Sequence, residues 1–205
     1  MPERVVIPEE FVNQLDSFRK DDPKEWEEHY RLATKRLLSS MFFLVSAKSV
    51  YKQGNKLLSA IGYYYSLFHL SKALLFLLPH YNVKQLRGIS HKEVLDKIRT
   101  EFVQRNILSK DYIETFRYTK KIREAANYGQ DTWISLSRLL RENEAKIMRC
   151  IKDGSNVLKK ICDKEITHIR SIIGDGIGDD WRDSYLSEEE SELLTSILLE
   201  HDLTT

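Results

Sequence analysis

The residue types best suited to binding a phosphate group are concentrated in residues 117–128. Four of these side chains are basic and two are aromatic: Arg117, Tyr118, Lys120, Lys121, Arg123 and Tyr128. On a helix, Asn127 shares a face with Lys120 and Arg123. Cations interleaved with aromatic rings are typical of surfaces that bind nucleic acid. The segment predicts a phosphate-binding face that includes Asn127; the alternative is a solvated helix surface offset by Glu114 and Glu124.

Proton transfer near neutral pH points to a different residue, His91. Histidine can act as a general acid or a general base near neutral pH, because its ordinary pKa is about 6.5. Tyrosine has an ordinary pKa of about 10 and is a poor substitute. We therefore consider His91 as an acid–base group that the fold brings near Arg123. The alternative is a histidine that holds the start of a helix by hydrogen bonds.

The most apolar segment, residues 56–78, carries its own polar side chains. His69 is expected to be a core residue with its hydrogen bonds satisfied. Lys72 is expected either to reach the surface along its stem or to pair with an acid across the core. The three consecutive tyrosines cannot all face inward, so at least one hydroxyl should meet water or an interface. They are Tyr63, Tyr64 and Tyr65.

Other kinds of chemistry find little support in the sequence. There is no phosphate-binding glycine loop, dinucleotide-binding turn or zinc-protease motif. Cys150 and Cys162 have no metal-ligand spacing and are expected to be reduced thiols. We predict no cofactor and no metal. The net charge is +1, so a nucleic-acid partner would need a local basic patch.

Long helices are expected throughout, because 205 residues contain only 8 Gly and 4 Pro. Asp22 followed by Pro23, and Ser90 followed by Glu93, are typical of helix starts. Asp153 and Gly154 are candidates for a break or bend. The predicted class is all-α, with a loop at 80–89 and helices at 9–20, 24–51, 56–78, 90–104 and 109–128, and another opening at 131 or 132.

The predicted domain organisation has three parts. Residues 1–170 form a helical bundle, 171–186 form a Gly/Asp linker and 187–205 form an amphipathic helix. That last helix either docks a partner protein or packs on its own bundle. Residues 57–78 interrupt their apolar run with His69 and Lys72, which favours a core helix over a membrane span. With no apolar leader at the N-terminus, we predict a soluble, cytoplasmic protein.

Three segments, in order, resemble the HEPN domain superfamily (higher eukaryotes and prokaryotes nucleotide-binding). AIGYYYSLFHLSKALLFLL, residues 60–78, is similar to its aromatic helix. ISHKEV, residues 89–94, is similar to the step that opens its next helix. REAANY, residues 123–128, resembles the Arg-x-x-Ala-Asp-Tyr ending of one prokaryotic branch. The resemblance covers about residues 55–140.

The resemblance implies an up-and-down HEPN-type bundle, here with additional N-terminal and C-terminal helices, that often dimerises. Many members act in prokaryotic toxin–antitoxin or antiviral defence systems. The active ones are metal-independent ribonucleases that use an arginine and a histidine four to six residues later. Arg123 matches that arginine, but Tyr128 stands five residues later, so the expected catalytic histidine is absent. Tyr128 is also a candidate for modification by a paired nucleotidyltransferase.

These observations lead to three functional hypotheses. The first is a HEPN-like defence or toxin–antitoxin protein that binds RNA, a nucleotide or a partner protein around Arg123, with degenerate ribonuclease activity. The second is an active metal-independent ribonuclease toxin, with Arg123, Tyr128 and His91 as catalytic residues at a homodimer interface. The third is a structural adaptor that docks a partner protein through its C-terminal helix, residues 187–205. Separately, a nucleotidyltransferase or another defence protein is a candidate partner.

Overall fold

The computed structural model describes residues 7–128 and 133–161. Within these ranges all regular structure is helical, with no strand, which confirms the all-α prediction. The predicted linker and C-terminal helix lie outside the described residues. A five-residue π-helical segment, Arg99–Val103, follows the fifth α-helix. The α-helices are α1 (Glu9–Asp21), α2 (Pro23–Lys52), α3 (Lys56–Phe76), α4 (Val83–Arg87), α5 (His91–Ile98), α6 (Lys110–Tyr128) and α7 (Trp133–Ile161).

The helix starts are set by side chains that accept hydrogen bonds from the first turn. The Asp22 carboxylate accepts from the Glu25 amide at 3.0 Å, and Pro23 occupies the first turn of α2. Ser90 and Glu93 complete a reciprocal capping box at the start of α5. Between α2 and α3, Gly54 has φ of +86°, a conformation that glycine adopts without a steric penalty. Capping chemistry therefore fixed these boundaries as the sequence predicted.

Two local predictions are wrong, and a third is confirmed with a different hydrogen-bonding pattern. The predicted loop 80–89 contains α4, because Asn82 caps it and Val83 and Leu86 are buried. The helix predicted to reach about residue 104 does continue to Val103, but it is α-helical only to Ile98 and π-helical from there. Asp153 and Gly154 do not break α7, which runs on to Ile161. A Cβ at Gly154 would lie 2.7 Å from Leu70 Cδ2, so this glycine allows close helix packing.

Helix α3 is the central element of the described residues. It packs against α2, α5, α6 and α7, and most of its side chains are buried. A Cβ on Gly62 would come within 2.8 Å of Ala47 Cβ, so α2 and α3 are in close contact there. None of the described helices has the length and apolarity needed to cross a membrane. The central position of α3 puts its polar side chains within reach of these four neighbouring helices.

Candidate functional site: an arginine and a histidine at Tyr64

Tyr64 is the meeting point of two residues that come from different helices. Its ring is fully buried on α3. The guanidinium carbon of Arg123, on α6, lies 4.8 Å from the centre of the Tyr64 ring, a cation–π contact. The Tyr64 hydroxyl forms a hydrogen bond with Nδ1 of His91, the first residue of α5. We call Tyr64, His91 and Arg123 the Tyr64 cluster.

His91 reaches this position because of where α5 begins and what lies beneath it. The capping box of Ser90 and Glu93 makes His91 the first residue of the helix. Its imidazole stacks on the Phe68 ring with a centroid distance of 4.0 Å and an interplanar angle of 17°. The imidazole is half-buried. Stacking and the Tyr64 hydrogen bond together define the position of this side chain.

Arg123 is held close to the protein but is incompletely paired. Its side chain is only 16% exposed, and its terminal nitrogen lies 3.5 Å from the Glu124 carboxylate. Among the described residues, nothing accepts a hydrogen bond from its buried Nε. An unpaired buried donor costs about 1–3 kcal/mol.

The electrostatic surroundings favour a neutral His91 and a protonated Tyr64. Burial lowers the pKa of His91, and the positive charges of Arg123, Lys120 and Lys72 lower it further, while Glu124 opposes them. Burial raises the pKa of Tyr64, although Arg123 acts in the opposite direction. A neutral imidazole carries one N–H and one lone pair, so it can donate to a phosphate oxygen or accept a proton.

The remaining predicted residues of α6 divide between two faces. Lys120 is half-buried on the Arg123 face and lies 3.6 Å from Glu124. Arg117 and Lys121 are exposed. At roughly 100° per residue they point about 120–160° away from Arg123, so the fold does not bring them into the Tyr64 cluster. Asn127 and Tyr128 belong to α6, but their side chains lie outside the described residues.

A second group of cations lies beside the Tyr64 cluster, and the sequence indicated only some of its members. Arg36, on α2, forms a hydrogen bond with Nδ1 of His69 at 3.3 Å. Lys72 is 4% exposed and donates to the Arg87 carbonyl at 3.2 Å. No carboxylate within the described ranges pairs with Lys72, so the expected acid partner is not found there. In the sequence, this second group was indicated only by a histidine and a lysine, His69 and Lys72, within an apolar helix.

The pKa values of this second group are lowered by burial and by the neighbouring positive charges. Burial lowers the pKa of Lys72 to about 8, with a further contribution from Arg36. Burial also lowers the pKa of His69 to about 4, assisted by Arg36, Lys72 and His91. His69 is half-buried rather than a core residue. The two groups therefore form one electropositive region that runs from α2 across α3 to α6.

Neither a metal-binding cluster nor a comparison with known proteins adds residues to the candidate site in the described part of the chain. Within residues 7–128 and 133–161, no three His, Cys, Asp or Glu side chains are grouped so as to hold a metal ion. A scan of protein-family models, a search of curated proteins and a search of solved structures each give no match for this chain.

Proposed function

We propose that this chain is a HEPN-like helical protein of a prokaryotic defence or toxin–antitoxin system that binds RNA or nucleotide phosphates at the Tyr64 cluster. The observation that carries the proposal is the convergence of Arg123 and His91, from two different helices, on Tyr64. The biological setting rests on the HEPN resemblance, and so do a homodimer and a nucleotidyltransferase or other defence protein as partner. A cytoplasmic location rests on the expectation that the two cysteines are reduced thiols.

The chemistry of the cluster suits a phosphate group. Arg123 offers a planar fork of donors, one of which is buried and unpaired among the described residues. His91 adds a further polar nitrogen, since its Nδ1 is occupied by Tyr64 and its Nε2 is not. Lys120 and Lys72 contribute positive charge nearby, against the opposing carboxylate of Glu124. This excess of donors and positive charge favours an anion over a neutral ligand.

Binding to labelled RNA tests the proposal. Removing a hydrogen bond to a charged group costs about 1.5–3 kcal/mol, so Arg123→Ala should weaken binding at least 10-fold. Arg149→Ala is the matched control, because Arg149 is an exposed arginine paired with Asp111 at 3.2 Å. Asp111 lies twelve residues before Arg123 on α6, roughly 18 Å along the helix axis. Equal affinities for the two variants, or no binding by the wild type, would contradict the proposal.

A second candidate function is metal-independent RNA cleavage, and the neutral His91 beside Arg123 favours it. In the required tautomer, Nδ1–H donates to the Tyr64 hydroxyl oxygen, and the Nε2 lone pair takes the proton of the 2′-hydroxyl. The 2′-oxygen then bonds to phosphorus, the bond to the 5′-oxygen breaks, and that oxygen takes a proton from water. The hydroxide so formed removes the proton from Nε2, which restores the neutral imidazole. Arg123 would stabilise the negative charge that develops on the non-bridging oxygens.

Cleavage is distinguished from binding by incubating labelled RNA with the protein in EDTA. The ribonuclease hypothesis predicts products that end in a 2′,3′-cyclic phosphate, and loss of these products in His91→Ala and in Arg123→Ala. Intact RNA with the wild type, or products that persist in either variant, would exclude it. The binding proposal survives intact RNA, since it requires affinity alone.

A further inference from the structure

A group of half-buried aromatic side chains lies next to the Tyr64 cluster, between α2 and α3. Phe43 stacks on Tyr65 with a centroid distance of 5.2 Å and on His69 at 5.4 Å. Each of these three rings is half-buried, so part of its surface is accessible. His91 continues the group, since it lies 6.4 Å from Tyr65. We call Phe43, Tyr65, His69 and His91 the aromatic strip.

Cations border the aromatic strip at both ends. Arg36 lies at one end, where it contacts His69 at 3.3 Å. Arg123 lies at the other end, on the Tyr64 ring beside His91. No carboxylate in the described residues forms an ion pair with Arg36. A line of accessible rings between two arginines resembles the platforms on which single-stranded nucleic acids stack their bases and bind their phosphates.

The two ends of the strip are close to each other along α3. Tyr64, which contacts Arg123, and His69, which contacts Arg36, are five residues apart on that helix. Five residues correspond to roughly 7.5 Å along the helix axis. Arg36 belongs to α2 and Arg123 to α6, so a ligand that contacts both arginines has to cross α3.

We propose that the ligand of the Tyr64 cluster is single-stranded RNA, with a base stacked on the aromatic strip and a neighbouring phosphate bound by Arg36. This inference rests on the proposed function and narrows it to one class of RNA. Paired bases are enclosed within a duplex and cannot stack on a protein ring, whereas unpaired bases can. A single strand should consequently bind more tightly than the same sequence in a duplex.

The salt dependence of RNA binding separates the phosphate contact of Arg36 from base stacking on the aromatic strip. Fluorescence anisotropy is measured with a labelled RNA of about 12 nucleotides, single-stranded and annealed to its complement. Each phosphate contact on a single strand contributes about 0.7 to the slope of log K against log salt concentration. Arg36→Gln should weaken single-strand binding and reduce that slope by about 0.7, while Arg36→Lys should retain the slope. Tyr65→Leu should weaken binding about 10-fold and leave the slope unchanged.

The controls identify which proposal fails. Tyr51→Leu removes a half-buried tyrosine that contacts Lys56 instead of the strip, and it should bind as the wild type does. If Arg123→Ala loses RNA binding while Arg36→Gln and Tyr65→Leu bind as the wild type does, the proposal that RNA stacks on the aromatic strip is wrong. The proposed function is then unaffected. Equal affinity for duplex and single strand also overturns the proposed stacking on the aromatic strip. Absence of any RNA binding overturns both proposals.

A second copy of this chain is the alternative occupant of the strip. Sedimentation analysis of the wild type, Arg36→Gln and Tyr65→Leu decides between the two. An unchanged oligomeric state in all three supports RNA as the occupant. Dissociation of an oligomer in the two variants, without a change in RNA affinity, assigns the strip to a protein interface and overturns the inference.

Discussion

The hydroxyl of Tyr64 and Nδ1 of His91 share a hydrogen bond that joins the central helix to the start of α5. Since burial keeps Tyr64 protonated, two arrangements of protons are available. Either the hydroxyl donates to Nδ1 and His91 carries its proton on Nε2, or Nδ1–H donates and Nε2 bears the lone pair. The first arrangement suits binding of a phosphate oxygen, and the second suits abstraction of a proton.

Substitution of Tyr64 by phenylalanine tests how much the site depends on this bond. Tyr64→Phe retains the ring beneath Arg123 and removes only the hydroxyl. The loss leaves Nδ1 of a half-buried imidazole without its partner, so we expect about 1–2 kcal/mol of destabilisation. RNA affinity should fall several-fold, because His91 loses its orientation. Urea denaturation and RNA-binding anisotropy measure the two effects.

Tyr81→Phe serves as a comparison for this substitution. Its hydroxyl donates to the buried Glu101 at 2.8 Å, away from the Tyr64 cluster. It should be destabilising as well, but without a change in RNA affinity. Equal losses of affinity in Tyr64→Phe and Tyr81→Phe would show that the effect of Tyr64 comes from stability alone.

Two glycines should respond differently to alanine. A Cβ at Gly62 would meet Ala47 Cβ at 2.8 Å and the Phe43 carbonyl oxygen at 3.1 Å, both of which belong to the body of α2. Overpacking costs about 1–3 kcal/mol, which outweighs a gain of about 1 kcal/mol in helix propensity. A Cβ at Gly154 meets chiefly the end of the Leu70 side chain, which can adjust. Thermal denaturation should therefore show a lower Tm for Gly62→Ala than for Gly154→Ala.

The local chemistry of the sequence predicted the helices, but it could not identify all their contacts. Asp22 with Pro23 and Ser90 with Glu93 act within one turn, so their effect is readable from adjacent residues. The resemblance and the position of His91 led to the hypothesis that it lies near Arg123, and the described contacts place both on Tyr64. That arrangement depends on how three helices pack, which no local pattern specifies.

Arg36 shows where prediction from the sequence ended. It lies within a charged stretch of α2, where an arginine is typical of a solvated helix face. Its contact with His69 joins positions that are 33 residues apart. Similarly, Gly154 next to Asp153 resembled a helix break, whereas its function in α7 is to allow close approach of Leu70. The Arg36 contact was not predicted and the break at Gly154 was predicted wrongly, in both cases because tertiary contacts override local preference.

His69 should make the protein sensitive to acid. Its pKa in the folded protein is about 4, mainly because of burial, against an ordinary value of 6.5. The unfolded chain therefore binds a proton first as the pH falls, so stability is complete above pH 6.5 and is lost as the pH falls toward 4. His69→Gln should reduce the acid-induced loss between pH 7 and 4.5 by about 1–3 kcal/mol. Urea titrations of the wild type and of His69→Gln at pH 7 and 4.5 measure this loss of stability. An identical loss in the two proteins would contradict the role of His69 in the acid sensitivity.

Lys72 offers the opposite test, in which removing a charge stabilises the protein. At neutral pH it remains protonated although it is 4% exposed and unpaired with any described carboxylate. Lys72→Met should therefore raise the free energy of unfolding by about 1–3 kcal/mol at pH 7. The folded pKa of about 8 lies below the ordinary value of 10.5, so wild-type stability increases as the pH rises between these values. The advantage of the variant should thus be smaller at pH 9.5 than at pH 7.

The same variant tests why a destabilising cation is present at all. A residue that lowers stability is expected where function requires it. Lys72 adds positive charge beside both His69 and His91, so Lys72→Met should weaken RNA binding several-fold while the protein becomes more stable. Leu75→Met, at a buried apolar position on the same helix, controls for the introduction of methionine. A variant that gains stability and retains full RNA affinity would show that Lys72 does not contribute to the electropositive region in binding.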